Sequence, residues 1–238
     1  MTSSPRVFVI VPAAGRGLRF GSPQPKQYLP LAGTPVLAHT LRRLDDLGAR
    51  AIAVGLAAED PYWPELRLSL TTPLVTFTGG AERALTVLNG LAALTDQAAE
   101  DDLVFVHDAA RPCVRGTDLQ RLYKAALEAP DGALLACPVA DTVKRGGALG
   151  AITATIDRRD LWLAQTPQVF RFGRLQAALT SVVAAHELVT DEAGAIERMG
   201  GRPRLVAGHQ DNIKITTPED LVLAEIYLAW QKSQQEGK

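Results

Sequence analysis

Short apolar runs alternate with longer amphipathic stretches along most of this chain. "RVFVIV" (6–11) is apolar after Arg6 and predicts a strand, whereas "TPVLAHTLRRLDDLG" (34–48) repeats its apolar residues at helical spacing and predicts a helix. The alternation continues with a strand over "AIAVGL" (51–56), a helix over "AERALTVLNGLAAL" (81–94) and a strand over "DLVFVHD" (102–108). A helix over "GTDLQRLYKAALEA" (116–129) and a strand over "GALLACPV" (132–139) follow. Such regular alternation predicts an α/β fold with a mostly parallel sheet joined by right-handed crossovers.

The pattern changes at "DTVKRGGALGAITATIDRR" (141–159), where two polar-apolar alternating runs flank Gly146 and Gly147, as in a β-hairpin. A hairpin outside the main sheet must bury its apolar residues either on its own subunit or on a second copy of the chain. Regular structure returns with a short strand over "NIKIT" (212–216) and a helix from "TPEDLVLAEIYLAW" (217–230). Thr217 is its expected N-cap, with Pro218 in the first helical position and Asp220 placed for a capping box.

With 238 residues, 47% of them hydrophobic, the chain can bury a full core. It contains no low-complexity linker or internal repeat, so one domain over 1–238 is expected, with the hairpin arm at about 139–160. The formal charge of −1 excludes a global positive field for nucleic acid or an anionic membrane, so any anion site must be local. Cys113 and Cys137 lie in no metal-spaced cluster. The opening segment is too short in apolar residues for a secretory signal, and no later run reaches membrane-spanning length, which predicts a soluble cytoplasmic protein.

Ligands of open parallel sheets bind at the carboxyl ends of the strands, so the residues after each strand carry the candidate chemistry. Behind the first strand comes "VPAAGRGLRFGSPQPKQYLPL" (11–31). Gly15 and Gly17 remove side chains where backbone N–H groups could cradle phosphate oxygens, and Arg19 and Lys26 add a bidentate fork and a compact ammonium. Neither a Walker A loop nor the dinucleotide fingerprint fits, because no GK[ST] follows and the glycine spacing is G-x-G-x-x-x-G. That spacing also weighs against an oxidoreductase.

"TGGAERALT" (78–86) places a second glycine pair between strand and helix, and Arg83 there reads as a solvated side chain of the first helical turn. In "VFVHDAARP" (104–112), Asp108 suits Mg²⁺ or a ribose hydroxyl, or else caps the following turn. "GHQDNIKITTPEDL" (208–221) brings Asp211 and Lys214, the latter an outward-facing charge unless the fold turns it inward. Thr190 is an N-cap candidate, His107 reads as a structural histidine, Cys137 as core and Cys113 as accessible. No covalent nucleophile is legible. A phosphate-bearing substrate supplies its own nucleophile, so this inventory suits nucleotidyl transfer by charge neutralisation and in-line positioning.

Eight stretches in register then resemble the 2-C-methyl-D-erythritol 4-phosphate cytidylyltransferase family: "PAAGRGLRF", "PKQYLPL", "GGAERALTVLNGL", "VHDAARP", "CPVADTVKR", "TIDRRDLWLAQTPQVF", "TDEAGAIERMG" and "DNIKITTPEDL". They span nearly the whole chain. The resemblance implies a mostly parallel, Rossmann-like nucleotidyltransferase sheet flanked by helices, with a protruding β-hairpin arm that joins two subunits in a homodimer. It implies cytidylyl transfer from CTP to 2-C-methyl-D-erythritol 4-phosphate, with Mg²⁺ required and pyrophosphate released, in non-mevalonate isoprenoid biosynthesis. By the same resemblance Pro12, Ala13, Ala14, Gly15 and Gly17 hold the base and phosphates, while Arg19 and Lys26 stabilise charge at the α-phosphorus. Gly80 and Thr86 meet the cytidine, and Asp108 and Ala109 the ribose, with Asp108 also at the metal. Thr142 and Lys214 position the methylerythritol phosphate; Arg158 reaches it from the partner's arm; Arg111, Thr166 and Thr190 complete the pocket.

Two positions depart from the family pattern. Ala81 stands where many relatives carry an acidic residue, and Thr86, where serine is usual, keeps the hydroxyl. Competing readings are a ribitol-5-phosphate cytidylyltransferase with the same chemistry and a silent nucleotide-binding regulatory module. The latter should have lost Arg19, Lys26 or Lys214, and all three are present.

Overall fold

The computed structural model describes residues 4–15 and 20–236. Gly17 and Arg19 lie outside the described residues. β1 (Val7–Pro12) is followed by the two-residue strands β2 (Pro30–Leu31) and β3 (Thr34–Pro35), then α1 (Val36–Asp45). β4 (Ala51–Leu56), β5 (Leu74–Thr78), α2 (Arg83–Leu94), β6 (Leu103–Val106), α3 (Gly116–Glu128) and β7 (Ala133–Pro138) continue the alternation. The second half comprises the hairpin β8 (Val143–Gly146) and β9 (Ile152–Ile156), then β10 (Trp162–Arg171) and α4 (Phe172–Ala184). It closes with α5 (Glu192–Arg198), β11 (Arg204–Ala207) and α6 (Pro218–Glu236).

Seven strands form one sheet in the order β11-β7-β10-β6-β1-β4-β5. All neighbours are parallel except β10, which runs antiparallel to both β6 and β7. The pairing of β10 with β7 shifts register between Ala164 and Gln168, a stretch containing Pro167, which has no N–H to give to a ladder. Each central strand buries both faces. Val9 and Val11 join Leu37, Leu41, Phe105 and Leu122 on the α1/α3 side, while Phe8 and Ile10 join Val87, Leu91, Leu175 and Leu179 on the α2/α4 side. This two-sided burial explains why these strands read as unbroken apolar runs.

A third cluster seats the C-terminal helix. Leu31, Val36, Ala110, Cys113, Ile215 and Ala224 pack together, with Leu221 and Tyr227 against them. Asp220 accepts from the backbone N–H groups of Thr216 and Thr217, both at 2.8 Å, which is the half of the expected capping box in which the third helical residue reaches back. Among the described residues no helix is long and apolar enough to cross a membrane.

Two expectations are corrected here. Residues 212–216 form no strand, because their polar backbone groups are taken by neighbouring loops: Ile215 N–H donates to Ala110 O, and Lys26 Nζ donates to Ile215 O at 2.6 Å. Cys113 is fully buried, not accessible, and burial pushes its thiol up to about 12. Of the two placements open to the hairpin, burial on its own subunit does not occur: β8 and β9 make a separate two-stranded sheet in which no residue of 143–156 is buried.

Candidate active site

A cleft of ≈ 710 Å³ opens at the carboxyl ends of β1, β5 and β6. Pro12, Ala13, Ala14 and Gly15 form one wall, Gly80 to Arg83 with Thr86 the opposite one, and Asp108 to Ala110 the floor. Lys26, Gln27 and Lys214 complete it. The walls approach closely because side chains are missing. A Cβ on Gly79 would stand 2.4 Å from Ala14 Cβ, and one on Gly80 2.4 Å from Leu85 Cγ.

The first loop is held from behind. Ala13 N–H donates to Gly55 O at 2.8 Å, and buried Gln27 donates its amide to Ala13 O at 2.6 Å and Gly15 O at 3.1 Å. Gln27 thus occupies carbonyls that would repel an anion. Sequence reasoning missed it, although it neighbours Lys26 in "PKQYLPL". Across the cleft, Gly80 N–H donates to Thr86 Oγ1 at 3.0 Å and the hydroxyl donates to Glu82 O at 3.0 Å. Thr86 therefore shapes the glycine turn from the first turns of α2.

Asp108 gathers three cations. Lys214 Nζ lies 3.0 Å from its Oδ2, Arg111 Nε donates to the same oxygen at 3.3 Å, and Arg83 Nη2 donates to Oδ1 at 3.3 Å. Burial alone would raise this carboxyl, but Arg83, Lys214 and Arg111 together hold it well below the usual carboxylate range. It is neither a turn cap nor a solvated acid. Arg83 is not a solvated helix-start residue either: its other arm, Nη1, donates to Glu192, which is fully buried at the start of α5. Burial pushes the Glu192 carboxyl up, countered only in part by Arg83. Among the described residues, three cations against two carboxylates leave the floor positive before Lys26 is included, so the cleft attracts an anion despite the nearly neutral chain.

A closed hydrogen-bond circuit fixes this floor. Asp108 N–H donates to Thr166 Oγ1 at 3.0 Å, Thr166 Oγ1 meets His107 Nδ1 at 3.0 Å, and His107 Nε2 meets Arg111 O at 3.0 Å. A carbonyl only accepts, so Nε2 carries the proton and Nδ1 accepts from the hydroxyl. Burial pushes the His107 imidazole down to about 4, which keeps it neutral. Thr166 spends its hydroxyl inside this circuit and is not among the cleft-lining residues. Arg111 is clamped by Nη1 donating to Asn212 O at 2.7 Å, and Asn212 in turn donates to Thr166 O at 2.8 Å. The strap 211–215 therefore presents Lys214 to Asp108 without regular structure.

Other expected residues lie elsewhere within one subunit. Thr142 is exposed beside the hairpin, and exposed Arg158 donates to Ala140 O. Thr190 is exposed, and the N-cap of α5 is Asp191, which accepts from Gly194 N–H at 3.0 Å. For a divalent cation, no group of three or more His, Cys, Asp or Glu residues gathers among the described residues. The ionised Asp108 fits only the kind of Mg²⁺ site that takes one protein carboxylate and draws its remaining ligands from phosphates and water.

The model of the family described as 2-C-methyl-D-erythritol 4-phosphate cytidylyltransferase matches residues 7–230. The chain is 51% identical over 229 residues to the protein of that name from Xanthomonas euvesicatoria pv. vesicatoria, covering 96% of this chain and 86% of that one. It is 48% identical over 224 residues to the one from Hahella chejuensis, covering 94% and 93%. A crystal structure of 4-diphosphocytidyl-2C-methyl-D-erythritol synthase superposes with a TM-score of 0.82 at 38% identity, over 95% of this chain and 100% of that one.

Proposed function

The chain belongs to the 2-C-methyl-D-erythritol 4-phosphate cytidylyltransferase family, and from that premise we infer that the cleft beneath β1, β5 and β6 is where its two substrates meet. The enzyme transfers the cytidylyl group of CTP to 2-C-methyl-D-erythritol 4-phosphate, a step of isoprenoid biosynthesis. Pyrophosphate leaves as a phosphate oxygen of the sugar attacks the α-phosphorus. The observation that carries the site assignment is the convergence of Arg83, Arg111 and Lys214 on one ionised Asp108, in a cleft that Lys26 also lines, beside a loop without bulky side chains.

In this reading Ala13 to Gly17 receive the triphosphate and base by backbone groups, with Gly80 and Thr86 closing on the cytidine. Lys26 and Arg19 neutralise the charge that builds on the α-phosphate, acting chiefly in the transition state. The attacking oxygen needs no general base, since a phosphate monoester is already ionised at neutral pH, and positioning becomes the main task. Lys214 and Arg111 offer their remaining N–H groups to the incoming sugar phosphate while they hold Asp108, with Thr142 and Thr190 as further contacts and Thr166 acting from behind, through the circuit that fixes the floor. A divalent cation held by Asp108 and the nucleotide's own phosphates supplies neutralisation of the triphosphate when bound.

The whole chain acts as one domain in the cytoplasm, and the exposed hairpin joins two copies into a homodimer. Its Leu149 is fully exposed and its Ile152 is 65% exposed, apolar surface of the kind a partner covers. Arg158 then serves the partner's cleft. The test is pyrophosphate release from CTP and Mg²⁺ with methylerythritol 4-phosphate and, in parallel, ribitol 5-phosphate. Release with the former alone supports the reading; release with ribitol 5-phosphate alone moves the acceptor assignment, and release with neither favours a regulatory module.

A further inference from the structure

Arg83 is the first residue of α2 and Glu192 the first of α5, and the two helix starts meet beside Asp108. Glu192 is fully buried. Its Oε1 accepts from Arg83 Nη1, while its Oε2 has no hydrogen-bond partner among the described residues. Removing a carboxylate from water is costly, and a single partner returns that only in part. Buried ion pairs of this sort are often replaced by uncharged side chains of similar volume without loss of stability. Folding therefore gives little reason for a charge at this position.

A reason lies on the other side of the guanidinium. An arginine left to itself engages a carboxylate through two parallel N–H groups. Arg83 meets Asp108 with one N–H only, at 3.3 Å, because its other arm is held by Glu192. Among the described residues, Asp108 Oδ1 has this single long contact, whereas Oδ2 takes both Lys214 and Arg111. Oδ1 is thus the oxygen with acceptor capacity left.

We propose that Glu192 is a positioning residue for the reaction: it holds one arm of Arg83 and so stops the guanidinium from closing on Asp108, which leaves Oδ1 for the nucleotide side of the substrate pair. The inference rests on the reading above, in which Asp108 meets the ribose or its metal. Glu192→Gln keeps the shape and one acceptor oxygen but offers a neutral amide against the Asp108 carboxylate. Arg83 should then transfer to Asp108 and fill Oδ1. Arg83 is not left unpaired by this change, so the fold should tolerate it.

The experiment compares wild type, Glu192→Gln, Arg83→Gln and the double variant. It measures thermal midpoint, CTP affinity by titration calorimetry, and turnover with CTP and methylerythritol 4-phosphate. Expected for Glu192→Gln are an unchanged or raised midpoint, CTP binding weaker by about tenfold, and turnover lower by about ten- to a hundredfold, as misplaced groups cause. The double variant should be no slower than Arg83→Gln, since Glu192 acts only through Arg83. CTP binding and turnover within twofold of wild type would overturn the proposal, as would a lowered midpoint with both intact, or losses that multiply in the double variant. If the wild type binds CTP but releases no pyrophosphate with the sugar phosphate, the acceptor assignment fails, and the proposal is judged on the CTP affinities alone.

Discussion

Protonation of His107 should unlock the floor of the cleft. The imidazole is fully buried, and its acceptor nitrogen Nδ1 faces the Thr166 hydroxyl, which already receives the Asp108 N–H. A proton on Nδ1 would deprive the hydroxyl hydrogen of its acceptor. Burial has lowered this group from 6.5 to about 4. In the unfolded chain the histidine binds a proton below about pH 6.5, whereas the folded protein resists until about pH 4. Between those values the unfolded state holds more protons, so stability falls as pH falls, by up to about 1.4 kcal/mol per pH unit. From pH 7 to pH 4.5 the loss is about 2 kcal/mol.

Glu192, shifted upward, works in the opposite direction, gaining relative stability as pH falls through its raised value. The wild-type curve alone therefore does not isolate His107. His107→Gln does, because the amide donates to Arg111 O and accepts from Thr166 without titrating. Urea unfolding of both proteins at steps from pH 7 to pH 4.5 should show the stability advantage of wild type shrinking by about 2 kcal/mol on acidification. Parallel curves over that range would refute the neutral, circuit-bound histidine.

Lys26→Ala and Arg19→Ala should each lower turnover by roughly a hundredfold or more while the folded state, read by circular dichroism, is retained; near-normal turnover in either would remove the assigned role. Heterodimers of Arg158→Ala with Lys26→Ala subunits should recover part of the activity lost in each homodimer, since one cleft then holds both intact residues. No recovery in confirmed heterodimers would mean that each subunit works with its own Arg158. Gly79→Ala places a Cβ 2.4 Å from Ala14 Cβ, so it should cost about 1–3 kcal/mol in urea unfolding and weaken CTP binding by spreading the two walls. Unchanged stability and affinity would show that the walls are looser than their spacing indicates.

Much of the architecture was legible from the chain because it depends on local pattern. β4 coincides with "AIAVGL", and α2, α3 and β7 differ from expectation only at their ends. The hairpin was readable from alternation around Gly146 and Gly147. β10 was not, since "WLAQTPQVFR" mixes polar residues and a proline into a run that is a strand only because β6 and β7 lie on either side of it. The expected strand at 212–216 failed for the converse reason, as its backbone groups were claimed by Ala110 and Lys26.

The candidate site divides along the same line. The order of the motifs determines the family, and the residues that follow β1, β5 and β6 determine which loops meet at the cleft. Partnership between distant side chains is another matter. Lys26 and Ile215 stand 189 positions apart, Arg83 and Glu192 109, and no periodicity relates them. Only the crossovers that stack α2 and α5 on one face of the sheet, and the strap that returns over β6, convert a solvated-looking arginine into a clamp and an outward-looking lysine into the partner of Asp108. The sequence by itself thus determined the strands, the loops and their chemistry; tertiary structure decided which charges neutralise one another, because burial and distance, which set that balance, exist only after the sheet has formed.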